Sequence, residues 1–355
     1  MPESVVENLA SSPFSPAISI EGDGANISIP GDLRIAVILP CYNEAKAIAQ
    51  TVQAFAAALP TASIYVYDNN STDDSRAIAA GAGAIVRSVS QQGKGHVVRR
   101  MFADVEADIY VMADGDATYD ASAAPAMVGD MLRDNLDMVV GARKSEVEAA
   151  YRRGHRLGNR VLTGLLRYLF GRSFTDILSG YRVFSRRFVK SFPVLSAGFE
   201  IETEMSVHAL ELRMPVAEHM TVYAARPEGS VSKLSTYRDG WRILRTIFTL
   251  FRIEQPIWFF GGVGAALVLA GVMLAVPLFI TYAQTGLVPR FPTAILITGL
   301  MIIGVLNGMC GLILDTVVRG RKEMKRLAYL AFPAPAEACP LEASAICSDV
   351  GAAHR

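Results

Sequence analysis

Net charge, clustered cysteines and paired histidines are what this chain has least of. Lysine and arginine balance aspartate and glutamate, 34 against 34, so no global field draws the chain to nucleic acid. The four cysteines, Cys41, Cys310, Cys339 and Cys347, share no metal-ligand spacing and make no disulfide framework. That excludes a zinc module and a disulfide-stapled secreted domain, and leaves reduced thiols in a cytosol-facing protein. The histidines are scattered, and His155, His208 and His219 read as structural or solvent-exposed. A basic leader followed by an apolar core is missing too. Met1–Asp32 is instead rich in Ser, Pro, Gly and Asn and is expected to be a disordered extension, not a signal peptide.

Basic charge is also absent where it matters most. Neither Pro256–Tyr282 nor Thr293–Val318 contains Lys or Arg, and each exceeds the roughly 20 apolar residues that a bilayer crossing needs. The connection Ala283–Pro292 holds one basic residue, Arg290. The outer flanks hold Arg242, Arg245 and Arg252 before the first span, and Arg319, Arg321, Lys322, Lys325 and Arg326 after the second. The positive-inside rule then predicts a multi-pass protein of the plasma (inner) membrane with both flanks, and both termini, in the cytoplasm. Just upstream, Tyr237–Arg252 sets Arg238, Arg242, Arg245 and Arg252 against Trp241, Leu244, Phe248 and Phe251. On its own that pattern also fits an ordinary packed helix; beside two spans it suits a helix lying in the membrane interface.

Between these ends the pattern alternates. Apolar runs at Ile35–Leu39, Ser63–Tyr67, Ala84–Arg87, Ile109–Ala113 and Met138–Gly141 read as strands. Helical stretches separate them at Glu44–Leu59, Ser71–Ala80, Gly95–Asp104 and Ala124–Asp134. Such alternation argues an α/β fold with a parallel sheet covered on both faces. The expected organisation is an extension over 1–32, a catalytic α/β domain over 33–236 and an interfacial helix over 237–254. A membrane hairpin over 255–320 and a cytoplasmic, partly disordered tail over 321–355 complete it.

Ligands bind such sheets at the carboxyl ends of the strands, and the polar motifs fall there. Pro40-Cys41-Tyr42-Asn43-Glu44 follows the first strand and Asp68-Asn69-Asn70-Ser71 the second. Asp114-Gly115-Asp116 follows Ile109–Ala113, with Asp120 four residues on. Read alone, the last stretch is equally a solvated acidic turn, because Asp-Gly is a common turn pair. Two carboxylates flanking a glycine at a strand end also make a hard-oxygen site for Mg²⁺ or Mn²⁺, which in turn binds phosphate oxygens. Three polar clusters on one sheet edge favour a nucleotide site. Lys94, in Gly93-Lys94-Gly95, fails the P-loop spacing but stands near enough in sequence for a phosphate-side role.

In their order, ILPCYNE, YDNNSTD, GKG, DGD and SGYRVFSR resemble glycosyltransferase family 2, with its Rossmann-like GT-A fold. The branch most similar is the polyprenyl-phosphate hexose transferases, relatives of dolichyl-phosphate mannose synthase, whose bacterial members carry a two-helix anchor. The resemblance covers about Ile35–Leu234. It implies that Pro40, Tyr42 and Glu44 line the nucleoside pocket and that Asp68 contacts base or ribose. It implies that Asp114 and Asp116 hold metal and diphosphate, and that Arg143 and Arg152 grip an acceptor phosphate. Asp176 and Ser179-Gly180-Tyr181-Arg182 would lie near the reaction centre, and Lys233 joins Arg182 as a candidate substrate contact. Asn69 and Asn70 depart from the family's Asp and Gly, and Thr118 stands where many members place a metal-shell Gln. Asp120 is close enough in sequence to supply that third ligand.

The resemblance implies an inverting transferase that moves a hexose from a nucleoside diphosphate sugar to a polyprenyl phosphate, within a membrane-embedded homo-oligomer. The chemistry is coherent without the family. A carboxylate-held divalent ion neutralises a departing diphosphate. An anionic acceptor phosphate needs cationic positioning more than a general base. Asp176 serves equally as a polarising group or as a cap for its own segment. Two other readings stay open, a processive polysaccharide synthase and a non-catalytic membrane scaffold. The first is disfavoured by the few spans and by the missing Q-x-x-R-W motif; the second by the intact D-G-D and P-C-Y-N-E.

Overall fold

The computed structural model describes residues 19–20, 33–144, 174–196, 198, 200–224, 245, 248–249, 251–288 and 290–335. The chain divides into two compact units, residues 1–236 with 326–355, and residues 237–325. The expected extension, apart from Ser19 and Ile20, lies outside the described residues, as do most of Tyr237–Arg252 and the end of the tail.

The first unit is built on one eight-stranded sheet. Its elements are β1 (Ser19–Ile20), β2 (Ile35–Cys41), α1 (Ile48–Ala58), β3 (Ser63–Asp68), α2 (Ser75–Gly81), β4 (Ile85–Ser88), α3 (Lys94–Asp104) and β5 (Ile109–Met112). There follow α4 (Ala124–Arg133), β6 (Met138–Lys144), β7 (Arg182–Ser185), α5 (Arg186–Ser191), α6 (Ile201–Glu211) and β8 (Val216–Val222). The strand order is β1-β8-β6-β7-β5-β2-β3-β4. Ser19 and Ile20 do not belong to a disordered extension; they pair in parallel with Glu218 and His219 at one end of the sheet.

Burial explains the sheet. Every residue of β5 is buried, as is β2 except at Pro40, the continuous apolar run of strands covered on both faces. On α1, Ile48, Thr51, Val52 and Phe55 point inward at i, i+3, i+4 and i+7, and Phe55 meets Tyr181 edge-on with ring centres 6.0 Å apart. The expected parallel arrangement holds for β2 with β3 and β5, β3 with β4, and β6 with β8. It fails at β7, which runs antiparallel to both β5 and β6. Gly141 makes room for this strand, since a Cβ there would fall 2.9 Å from the Tyr181 ring.

The second unit contains α7 (Pro256–Thr285) and most of α8 (Phe291–Leu330). Both helices are long and apolar enough to cross a membrane, and little of either is buried. They meet through glycine. A Cβ at Gly264 would lie 2.6 Å from the Gly304 carbonyl, and one at Gly304 2.7 Å from Val268, the close backbone approach that small residues permit. Helix α8 runs past the expected end at Val318 to Leu330. Near its polar end, buried Glu254 takes Arg321 at 2.6 Å and Lys322 at 3.7 Å.

Candidate active site

Strands β2, β3, β5, β6 and β8 end on one edge of the sheet, and β7 begins there, since Arg182 pairs with Met112 and Val140. Pro40 lies in the last turn of β2, with Tyr42 and Glu44 just beyond it. Asp68 closes β3. Its buried carboxylate accepts from the Ser71 amide at 3.2 and 3.3 Å, which shapes the turn after the strand. The two turns are stitched together. Asn43 Oδ1 accepts from the Thr72 amide at 2.7 Å, and the Asn43 and Glu44 amides donate to Ser71 Oγ and Ser75 Oγ at 2.9 and 2.8 Å. Asn43 and Asn70 hold left-handed backbones, with φ of 52° and 64°, a conformation that asparagine tolerates better than most residues.

Asn69 shows why an amide stands where the resemblance leads one to expect Asp. Its Nδ2 donates to the carbonyls of Val89 at 3.2 Å and Gln91 at 2.7 Å, while Oδ1 accepts from the Gly93 amide at 2.7 Å. A carboxylate would lose both donors. Asn69 thereby fixes the loop that delivers Lys94, the first residue of α3.

The Lys94 ammonium reaches Asp114 Oδ1 at 2.5 Å and Glu202 Oε1 at 2.5 Å. Burial opposes its charge, but Asp114 and Glu202 outweigh burial and hold its pKa well above the ordinary lysine value. Asp116 is buried and accepts from Thr118 Oγ1 at 2.5 Å and the Thr118 amide at 3.3 Å. Ala117, between them, has a left-handed backbone at φ 56°, a strained conformation for alanine of the kind that collects at functional sites.

Do these residues fit a divalent ion? The described residues contain no group of three His, Cys, Asp or Glu side chains placed to hold one. Asp120 does not join Asp114 and Asp116. It caps the short turn Ala121–Ala123 instead, with Oδ1 accepting from the Ser122 amide at 2.9 Å and Ser122 Oγ at 2.7 Å. Thr118 serves Asp116. What remains is a two-carboxylate, all-oxygen pair, which suits Mg²⁺ or Mn²⁺ completed by substrate phosphates. The Lys94 ammonium on Asp114 is itself a stand-in cation. The donor set fits.

A second cluster stands farther along the edge. Arg143, near the end of β6, grips Asp176 through Nε at 2.6 Å and Nη2 at 2.9 Å, the two-pronged geometry that guanidinium makes with carboxylate. Its guanidinium also lies 5.4 Å from the centre of the Tyr223 ring. Asp176 is steadied from behind, because Glu218 accepts from the Asp176 amide at 3.1 Å and from the Thr175 amide at 2.6 Å. Tyr119 packs between Tyr181 and Tyr223, ring centres 5.4 Å from each, and its hydroxyl accepts from the Gly180 amide at 2.9 Å. Burial raises the Tyr119 hydroxyl well above the ordinary tyrosine range.

The structure therefore brings Lys94 onto Asp114, two residues from Asp116, past the end of β5 and joins Arg143 to Asp176 at the end of β6, with only β7 between those two strands. Arg182 is corrected. It is fully buried and donates to the carbonyls of Ile177 at 2.6 Å and Ser179 at 2.9 Å and to Ser206 Oγ at 2.9 Å. Burial pushes its pKa down to about 10. It holds the 177–180 loop and is out of reach of substrate. Glu204 accepts from the amides of Leu195 and Ser196, each at 2.8 Å. His208 and His219 are buried, His219 against Asp130 at 2.8 Å. Arg152 and Lys233 lie outside the described residues. Glu202, Glu218, Tyr119 and Tyr223 escaped the sequence reading. For Glu202 the signal was present, since acids at 200, 202 and 204 of one helix cannot all face solvent.

The sheet order and the paired carboxylates at its edge define a nucleotide-sugar transferase of the GT-A type. The description of glycosyl transferase family 2 matches residues 36–192. The chain is similar to the glycosyltransferase AglJ of Haloferax volcanii, 33% identical over 299 residues, covering 83% of this chain and 98% of that one. It is also similar to the dolichyl-phosphate hexose transferase of the same organism, 28% identical over 152 residues, 43% of this chain and 66% of that one. Among solved structures, glucosyl-3-phosphoglycerate synthase from Mycobacterium tuberculosis, in complex with Mn²⁺, UDP-glucose and phosphoglyceric acid, shares the fold. The TM-score is 0.52 at 24% identity, over 61% of this chain and 80% of that one. This chain belongs to glycosyltransferase family 2.

Proposed function

We propose that the protein is an inverting hexosyltransferase whose acceptor is a polyprenyl phosphate, of the undecaprenyl type, and whose product is a β-linked lipid-phosphate sugar. The carrying observation is one chain that joins a GT-A sheet to two helices long and apolar enough to cross a membrane. A water-soluble acceptor would give those helices no purpose in the reaction, whereas a lipid acceptor is found only where they would be. The similarity to a dolichyl-phosphate hexose transferase supports the same acceptor class.

The residues divide the work. Pro40, Tyr42, Glu44 and Asp68 form the nucleoside end, and Lys94, Asp114 and Asp116 the diphosphate end. Asp114 and Asp116 would hold a Mg²⁺ or Mn²⁺ ion, which neutralises charge on the departing diphosphate. Arg143, positioned by Asp176, orients the acceptor phosphate, and Arg152 and Lys233 are proposed to assist it. A phosphate oxygen forms the new bond to the anomeric carbon from the face opposite the diphosphate. The bond to the diphosphate oxygen breaks, and the electron pair leaves with it. No proton need be removed, so no histidine is required.

In this reading residues 33–236 are the catalytic domain and 255–320 the membrane hairpin, with domain, interfacial helix and both termini on the cytoplasmic side of the plasma membrane. The test is a panel of labelled nucleotide sugars offered with undecaprenyl phosphate and Mg²⁺ or Mn²⁺. Transfer of label from one donor into an organic-extractable, metal-dependent lipid product is the expected outcome. No lipid product with any donor overturns the acceptor assignment.

A further inference from the structure

Glu202 is buried and pairs with the one ammonium that also sits on a metal-binding carboxylate, yet the transfer reaction gives it no task. The geometry around Asp114 supplies one. Lys94 Nζ occupies Oδ1 at 2.5 Å. On the other side, a Cβ built on Gly180 would lie 2.9 Å from Asp114 Oδ2 and 3.2 Å from Lys94 Nζ, so glycine at this position leaves room beside both groups. A divalent ion binds a carboxylate oxygen at roughly 2.0–2.1 Å, and an ammonium on the same carboxylate repels it at short range. An ion on Asp114 therefore competes with the ammonium for the same negative charge, and binds better once the ammonium has moved off it. An ammonium displaced into a buried site needs another counter-charge, and Glu202 Oε1 already stands 2.5 Å from it.

We propose that Lys94 and Glu202 form a cation gate on Asp114. The ammonium holds the carboxylate until a nucleoside diphosphate arrives with the divalent ion, and then withdraws onto Glu202 and the diphosphate. The proposal rests on the assignment of Asp114 and Asp116 to the metal. It makes metal and nucleotide binding cooperative, with Glu202 as a positioning residue acting through Lys94.

The experiment titrates Mn²⁺, followed by electron paramagnetic resonance, into the full-length detergent-solubilised protein alone and with UDP or GDP. In the wild type, Mn²⁺ alone binds weakly and one of the nucleotides tightens it strongly. Lys94→Met binds Mn²⁺ alone about tenfold more tightly, within the usual span of coupling between sites, and gains less from nucleotide. Because that variant leaves Glu202 buried without its ammonium, Lys94→Met/Glu202→Gln, which removes the pair as a neutral unit, is measured beside it and shows the same tightening. If the double variant binds Mn²⁺ alone no more tightly than the wild type, Lys94 merely orients Asp114 and the gate is wrong. If the wild type binds no Mn²⁺ with either nucleotide, the metal assignment falls and the gate with it.

Discussion

Two buried ion-pair clusters stand on the same sheet edge, and they are built on opposite plans. At the Asp114 end one lysine is shared between two carboxylates that come from distant parts of the chain, the end of β5 and the helix α6. At the Arg143 end one arginine is gripped by one carboxylate in a fixed fork, and that carboxylate's loop is pinned by Glu218. Lysine is a compact point charge on a flexible stem, whereas arginine is a rigid planar fork. The first plan lets a cation change partners; the second keeps it in one place. In the proposed reaction a leaving diphosphate and its metal would arrive and depart in each turnover, while an acceptor phosphate would need a fixed landing point. The two clusters match those two demands.

Substitutions can break this contrast in a graded way. The largest effect is expected from Asp116→Asn. Removing a buried carboxylate from the diphosphate end should lower kcat by 10²–10³, about 3–4 kcal/mol of transition-state stabilisation, and abolish the response of the rate to Mn²⁺. Next comes Arg143→Lys, which keeps the charge and loses the fork. Its kcat/KM for the lipid acceptor should fall by about tenfold to a hundredfold while the KM for nucleotide sugar holds, as steady-state kinetics with each substrate varied would show. A parallel fall in donor binding would erase the division of labour between the clusters.

Smaller effects test the supports. Glu218→Ala leaves the amides of Thr175 and Asp176 without their acceptor, at a cost of about 1–3 kcal/mol for a buried donor left unsatisfied. A lowered Tm and a partial loss of acceptor turnover should appear together. The smallest effect is expected far from the edge, at the other end of β2, where Arg34 pairs with Asp108 at 2.7 Å. This pair is half-exposed, so Asp108→Asn should cost within about 1 kcal/mol and leave turnover unchanged. Burial raises the Asp108 pKa, but its hydrogen bonds from Arg34 prevail and hold it below the usual carboxylate range. A depressed folded-state pKa means that this contribution is fully present above the unfolded value of about 3.9 and is lost as pH falls through the folded value. Denaturation of wild type and variant at pH 7 and at pH 2–3 should therefore converge on the acid side.

The half of the sheet built on β2 and β5 was legible because these strands are buried on both faces and read as unbroken apolar runs, and because the polar motifs sit directly behind them. The half built on β6, β7 and β8 was not. Strand β8 carries Glu218, His219 and Thr221, all buried, so its polar letters hid a strand that lies between β1 and β6. Strand β7 is four residues long and opens on Arg182, a side chain that sequence reasoning assigns to substrate and the structure assigns to the loop carbonyls. Asp120 lay near Asp114 and Asp116 in sequence and caps a turn instead. Proximity along the chain is a poor guide to ligation where a turn offers backbone amides at once. Lys94 and Glu202 lie 108 residues apart, and only the folded sheet puts them together.

The reversed direction of β7 has a consequence for how such enzymes can diversify. Parallel neighbours need a crossover that carries the chain from one edge of the sheet back to the other, which fixes a minimum length and path. Strand β6 ends, and β7 starts, on the same edge. The connection between them leaves and re-enters at the reacting side, so residues can be inserted or deleted there without moving a strand. If Arg143, which borders this connection, takes the acceptor as proposed, a change of acceptor would need one insert rewritten and no strand moved.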